Sequence, residues 1–202
     1  MSLLLRVELP DVPGSLGRLA TAIGGAGGDI EALEIVEKRH DGTAVDDVFV
    51  ETPVGVMPDS IVSACNALDD VRVVWISRYA AGNNLFLDLE VVEELTASPE
   101  TALERLVDML PVTFRCEWGA RVGPGDEVLQ GTEGAPSSVP YVDADKPVRL
   151  EGSDDDDVRC AAPLIGKEIV VLGRRGGPEF LASELARLGH LAGLAASIAA
   201  RG

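Results

Sequence analysis

The chain has 202 residues, of which 46% are hydrophobic and 4% aromatic, and its formal net charge is −17. This length and apolar content suit one large or two small globular domains with cores of Leu, Val, Ile and Ala. The negative charge repels nucleic acid and anionic lipid surfaces, so we expect neither as a partner.

The sequence contains no stretch of 18 uninterrupted apolar residues and no charged-then-apolar leader, so we expect a cytoplasmic protein. The three cysteines, Cys65, Cys116 and Cys160, are widely spaced, and the only histidines are His40 and His190. We therefore expect neither a disulfide framework nor a metal site.

The chain begins with a predicted strand, turn and helix. An apolar run over residues 3–9 predicts the strand, and the prolines and glycine of residues 10–14 end it. A helix follows, because apolar residues recur at the spacing of one buried face. These residues are Leu16, Leu19, Ala20 and Ile23. We expect the glycine-rich run 24–28 to end the helix by supplying positive φ angles.

The next residues complete a recognisable order of elements. Residues 29–38 and 43–51 predict two strands joined by a hairpin turn. A second helix begins at Pro58 and a fourth strand covers 71–77. Strand–helix–strand–strand–helix–strand is the order of the split βαβ, or ferredoxin-like, fold.

The turn before the first helix is the candidate ligand site. Unpaired amide hydrogens of a helix's first turn accommodate a carboxylate. Asp11 stands beside this turn and Asp29 follows the helix, so both carboxylates are candidates for contact with an ammonium group. A free amino acid has both groups. The alternative is that Pro13 and Gly14 only make a turn and Asp11 only caps the helix.

The pattern D-x-P-G-x-L-x-x-L-x-x-x-I, followed by G-D-I, resembles the opening of an ACT domain. ACT domains are small regulatory modules that bind amino acids, usually at an interface between two such domains. The resemblance implies a ferredoxin-like βαββαβ domain over residues 1–79 and a homodimer. The ligand-binding residues that it implies are Asp11, Val12, Pro13, Gly14, Ser15, Leu16, Asp29 and Ile30.

Small and polar residues 80–84 predict a boundary before a second domain. Two helices over 85–95 and 99–110 are expected to follow. Strands are predicted over 112–122 and 127–131. Residues 132–147 predict a long loop.

Two further strands are predicted over 158–165 and 168–173, and a long helix from about Pro178. The first strand's end and its hairpin, Cys160 to Leu172, resemble the last hairpin of a GAF domain. This resemblance implies a short GAF-like antiparallel-sheet α/β/α domain over residues 84–202. GAF modules bind cyclic nucleotides, tetrapyrroles, small metabolites or nothing.

Three other features have a functional and a structural interpretation. The acidic run 154–157 is either a cation site or a solvated loop. Residues 174–177, Arg-Arg-Gly-Gly, are either an anion clamp or an exposed turn. Cys116 and Cys160 are either a redox pair or buried apolar thiols.

The sequence contains no G-x-S-x-G pattern and no P-loop, so we expect neither an enzyme nor a bound cofactor. We expect a regulatory protein that binds a free amino acid, forms a homodimer and signals to a protein partner. The terminal helix is a second candidate dimer surface. Three alternatives stay open: a ligand-free assembly module, a small-metabolite sensor in the GAF-like half, and an enzyme with a site near Cys116 or Cys160.

Overall fold

The computed structural model describes residues 1–78, 87–150 and 157–201, and the chain divides into two compact units, Met1–Gly82 and Asn83–Gly202. Each unit combines helices with one antiparallel sheet, so the protein is mixed α+β. The predicted boundary at 80–84 lies outside the described residues, as do 154–156 of the acidic run. Within the described ranges, no helix is both long and apolar enough to cross a membrane.

The first unit has the predicted order of elements. They are β1 (Ser2–Pro10), α1 (Ser15–Gly25), β2 (Asp29–Lys38), β3 (Thr43–Glu51), α2 (Pro58–Asn66) and β4 (Arg72–Arg78). The sheet order is β2-β3-β1-β4, and each neighbouring pair is antiparallel. β1 and β2 are therefore parallel to one another, with β3 between them, and α1 is the crossover that joins them.

The core of the first unit lies between the sheet and its two helices. Alternate residues of β1 face the helices because strand side chains alternate between faces. The buried residues of this core include Leu3, Leu5, Val7, Leu9, Leu19, Ile23, Val48, Val50, Ile61 and Cys65.

The glycine-rich stop of α1 differs from the expectation. The helix runs through Gly25, and in the run 24–28 only Gly27 has a positive φ, at 89°. Gly28 has a different role, since a Cβ there would lie 2.7 Å from side-chain atoms of Ile23 and Val50. It allows the chain to pass close to the core as β2 begins.

The second unit contains three helices and a sheet of order β6-β5-β9-β8-β7 among its described residues. Its helices are α3 (Leu87–Ala97), α4 (Ala102–Phe114) and α5 (Ala182–Ala199). Its strands are β5 (Trp118–Gly123), β6 (Glu127–Gly131), β7 (Val148–Leu150), β8 (Asp157–Pro163) and β9 (Ile169–Arg175). The short strand β7 was not predicted.

The two faces of this second sheet are covered differently. The helices pack on the face that carries Cys160, Ala162, Val170 and Leu172. The loop before β7 covers the other face, where its fully buried Val139 joins a cluster around Trp118. A loop that buries apolar residues in this way takes the place of a second helical layer.

Helix α4 continues four residues beyond the predicted end and replaces the start of the predicted strand. It passes through Pro111 and ends at Phe114, and the next residue, Arg115, has a left-handed conformation with a φ of 53° and a ψ of 53°. The amide of Cys116 donates to the carbonyl of Pro111 at 2.8 Å, which closes the helix end. Leu110, Thr113 and Phe114 are buried on one helical face, so tertiary packing overrides the β-branched composition.

The apolar face of α5 packs into its own unit. Its buried residues Leu188, Leu191, Ala192 and Ala195 belong to the core shared with α3 and α4. These residues are therefore covered within the unit, and a dimer surface on the rest of α5 stays a prediction. The helix begins at Ala182 and not near Pro178, because Glu184 Oε2 accepts a hydrogen bond from the amide of Leu181 at 2.8 Å and caps the helix there.

We expect Gly173→Ala to destabilise the second unit by about 3 kcal/mol. A Cβ at Gly173 would lie 2.0 Å from a ring atom of Trp118, which crosses it in the paired strand. Gly193→Ala is the control, because its Cβ meets nothing within 4 Å on α5, and should stabilise by about 0.5–1 kcal/mol. Urea unfolding followed by circular dichroism measures both; equal midpoints for Gly173→Ala and wild type would contradict the packing.

Candidate functional site

The turn between β1 and α1 is fixed to the neighbouring hairpin. The amide of Asp11 donates to the carbonyl of Gly42 at 2.8 Å, and the amide of Ser15 donates to that of Val12 at 3.2 Å. Gly14 precedes the helix with a φ of 93°, a left-handed angle that glycine adopts without strain. These hydrogen bonds fix the position of the first residues of α1.

The first turn of α1 is open to an anion. Within the described part of the chain, no side chain caps this helix and its first turn carries no acidic residue. Because the amide of Ser15 donates to Val12 and that of Arg18 to Gly14, the amides of Leu16 and Gly17 are the ones that present the partial positive charge of the helix N-terminus. Ser15 at this end is buried, and the Nη2 atom of Arg18 lies 3.5 Å from its hydroxyl oxygen.

Asp11 is held by a lysine from β2. Lys38 Nζ donates to Asp11 Oδ1 at 2.9 Å and to Oδ2 at 3.0 Å. Both side chains are exposed, so this pair contributes less than about 1 kcal/mol. A competing cation can displace Lys38 at little cost.

Asp29 and Asp11 lie at opposite ends of the sheet, measured along the strands. It pairs with Glu51, which pairs with Ser2 at the start of β1, whereas Asp11 follows Pro10 at the end of β1. Along β1, Ser2 and Pro10 are eight residues apart, which is roughly 26 Å at about 3.3 Å per residue. A single chain does not bring the two carboxylates together. Ile30, next to Asp29, packs against the core.

The structure adds Asp46 of β3, which the sequence analysis did not identify. It lies between Val7 of β1 and Ile35 of β2, on the face that the helices cover, and it is only 1% exposed. Its Oδ1 atom has no hydrogen-bond partner among the residues that the structure describes. Buried polar atoms are nearly always bonded, so an orphaned carboxylate oxygen is a candidate binding group.

The environment of Asp46 disfavours its charge. Burial raises the pKa of this carboxyl group from 3.8 to about 6, and repulsion from Asp11 and Asp47 adds to the increase. Lys38 partly offsets it. Asp11 and Lys38 act on Asp46 because all three lie at the same end of the sheet.

One signal in the sequence could have identified Asp46. Two consecutive acidic residues in a buried strand point to opposite faces, so each needs its own partner. Asp47 has one: Arg6 Nε and Nη2 donate to its two carboxylate oxygens at 2.8 and 2.9 Å. The sequence offers no second arginine at that register on β1, since Val7 faces Asp46.

An open groove begins at the same helix start. It has a volume of about 430 Å³ and is lined by Gly14, Gly17, Arg18, Thr21, Ala22 and Leu68. The groove provides space beside the α1 N-terminus.

The anion-clamp interpretation of residues 174–177 is not supported for Arg174, which is buried and bonded within its unit. Its Nη2 atom donates to the carbonyl of Phe114 at 2.8 Å and to Glu184 Oε1 at 2.9 Å. The guanidinium also stacks 4.2 Å from the centre of the Phe180 ring. Arg174 thus joins the end of α4 to the start of α5.

The cysteine and acidic-run candidates are also accounted for locally. Burial raises the pKa of Cys116 to about 12 and that of Cys160 well above its usual value, so neither is a ready thiolate. Asp157, the described residue of the acidic run, accepts a hydrogen bond from Trp118 Nε1 at 3.1 Å. No group of three or more His, Cys, Asp or Glu residues suited to a metal ion occurs in the described ranges.

No protein-family model matches the chain, and no curated protein matches it. Among solved structures, a formyltetrahydrofolate deformylase from Pseudomonas putida KT2440 is similar over 48% of this chain, with 9% identity and a TM-score of 0.30. The match spans 38% of the deformylase chain. A likeness of this size supports no conclusion about activity.

We expect Asp46→Asn to stabilise the protein at pH 8 by on the order of 2 kcal/mol. The pKa of Asp46 is higher in the folded state than in the unfolded state. Its contribution to the free energy of unfolding is therefore complete below the unfolded pKa and is lost as the pH rises through the folded pKa. Wild-type stability should therefore fall as pH rises from about 4 to about 6, and the variant should lack this fall. Urea midpoints at pH 4 and pH 8 measure it; a variant that is less stable at pH 8 would contradict an unpartnered Asp46.

Proposed function

We propose that the protein is a non-catalytic regulator that binds a free amino acid at the β1–α1 turn of an ACT-like first unit. The second unit is the GAF-like half of the same regulator. The observation that carries the proposal is the uncapped N-terminus of α1 beside the exposed carboxylate of Asp11. A partly positive helix end next to a negative side chain suits the two charged groups of a zwitterion.

Each group of the ligand has a counterpart at this turn. The ligand carboxylate accepts hydrogen bonds from the amides of Leu16 and Gly17 in the first turn of α1, with Arg18 available beside them. The ligand ammonium replaces Lys38 at Asp11, an exchange of one exposed ion pair for another. Because both bonds involve charged groups, they are stronger than neutral ones.

The second copy joins along β2, one of the two edge strands of the first sheet. On the side of β2 that faces the helices, Leu33 is 36% exposed and Ile35 is 46% exposed, and Leu16 of the neighbouring α1 is 38% exposed. An edge strand has unpaired backbone groups that another strand can satisfy. The apolar residues beside it supply area that is stabilising to bury.

A two-fold axis at this edge explains the separation of Asp11 from Asp29. Two β2 strands related by a two-fold axis run antiparallel, so the start of one meets the end of the other. Asp29 of the second copy then approaches Lys38 and Asp11 of the first. The ligand ammonium thus contacts one carboxylate from each copy.

A ligand held by both copies favours the arrangement of the dimer that it bridges. Its effect equals its difference in affinity for the two arrangements, and a protein partner that recognises one of them reads the amino-acid concentration.

A thermal-shift screen against the twenty amino acids tests the binding site. A ligand at about 100 times its Kd should add about 2.7 kcal/mol and raise Tm by a few degrees. Asp11→Ala should remove the shift, whereas Asp145→Ala, at an exposed position of the second unit, should keep it. If none of the twenty shifts Tm, the first unit is a ligand-free assembly module.

Ile35→Lys tests the dimer. A lysine on this edge opposes pairing, so we expect the variant to run as a monomer of 21.2 kDa, where wild type has twice that mass. Val54→Lys is the control, because Val54 is fully exposed on a loop outside β2. Light scattering after size-exclusion chromatography gives the masses; a wild-type monomer would contradict the shared site.

A further inference from the structure

Asp46 is a buried charge with no counter-charge of its own. Asp11 is neutralised by Lys38 and Asp47 by Arg6, each at hydrogen-bond distance. The described residues offer no hydrogen-bond partner to Asp46 Oδ1. A buried carboxylate of this kind requires either a proton or a cation.

Asp46 lies further from the end of the sheet than Asp11, which binds the α-ammonium group of the ligand. Asp11 follows Pro10, which pairs with Thr43, whereas Asp46 is three residues further along β3. This is roughly 10 Å at about 3.4 Å per residue. An ammonium held at Asp11 therefore leaves Asp46 to whatever extends inward from the ligand.

We infer that the ligand is an amino acid with a cationic side chain, whose terminal ammonium or guanidinium group pairs with Asp46. This inference rests on the proposed function. The apolar stem of a lysine- or arginine-type side chain suits contact with Val7 and Ile35, which flank Asp46 in the sheet, while its charged end meets the carboxylate.

The charges of the site favour the same ligand class. In the proposed arrangement the α-ammonium of the ligand already pairs with Asp11 and with Asp29 of the second copy, so Asp46 calls for a second cationic group. A neutral amino acid supplies one and a dibasic amino acid supplies two. An acidic ligand would add a carboxylate next to Asp46 and is excluded by repulsion.

Isothermal titration with matched ligands tests the side-chain charge. Norleucine has the apolar stem of lysine without the terminal ammonium, and citrulline is an uncharged relative of arginine. We expect lysine or arginine to bind at least tenfold more tightly than its neutral counterpart. Asp46→Asn should reduce this preference to within about twofold, and Asp145→Asn should preserve it. Circular dichroism confirms that each variant is folded.

The outcomes separate this inference from the proposed function. If norleucine or another neutral amino acid binds as tightly as lysine and Asp46→Asn weakens both equally, Asp46 holds the α-ammonium and the side-chain assignment is overturned. If no amino acid binds wild type, the proposed function fails as well.

The pH dependence provides a second readout. A cationic ligand competes with a proton for Asp46, so its affinity should fall severalfold from pH 7.5 to pH 5.5. The charged groups that act on Asp46 are Asp11, Asp47 and Lys38, and burial raises the pKa of Asp46 to about 6. The fall should be absent in Asp46→Asn, and its persistence there would assign the proton to another group.

Discussion

The crossover of α1 from β1 to β2 is the constraint on which the candidate site depends. Because β1 and β2 are parallel with β3 between them, the start and the end of α1 lie at opposite ends of the strands. The open amides and Asp11 are at one end of the strands, and Asp29 is at the other end. No local rearrangement of a loop changes this, since the separation is set by the length of the strands. A site that uses both carboxylates therefore needs two chains.

A second constraint comes from the alternation of side chains in β3. It sends Asp46 and Asp47 to opposite faces, and the fold provides only Asp47 with an arginine. An orphaned carboxylate reduces stability when it is ionised, because the interior does not solvate it. Such a residue is typical of binding sites, where the missing partner arrives with a ligand. Stability and binding thus make opposite demands on the same side chain.

The sequence was a good guide wherever local pattern and packing agree. The six elements of the first unit have the predicted order, although α1 buries Ser15, Leu19 and Ile23, whereas Leu16 and Ala20 of its predicted buried face are exposed. Local pattern failed where distant contacts decide. α4 passes through Pro111 because its buried face continues to Phe114, and β7 is too short to give a signal of its own. Asp46 was missed because its isolation depends on which residue faces it across the sheet.

The irregular pairing of β2 has a consequence for assembly. Its register with β3 shifts between Ile30 and Ala32 and again between Ile35 and Glu37, at nearly equal distances from the middle of the strand. A regular edge offers many registers and can recruit chain after chain into fibrils. Two interruptions leave only a short regular segment around Leu33, so the proposed dimer would have one symmetric alignment favoured over shifted ones. The same irregularity that bends the edge can thus protect the protein from open-ended aggregation.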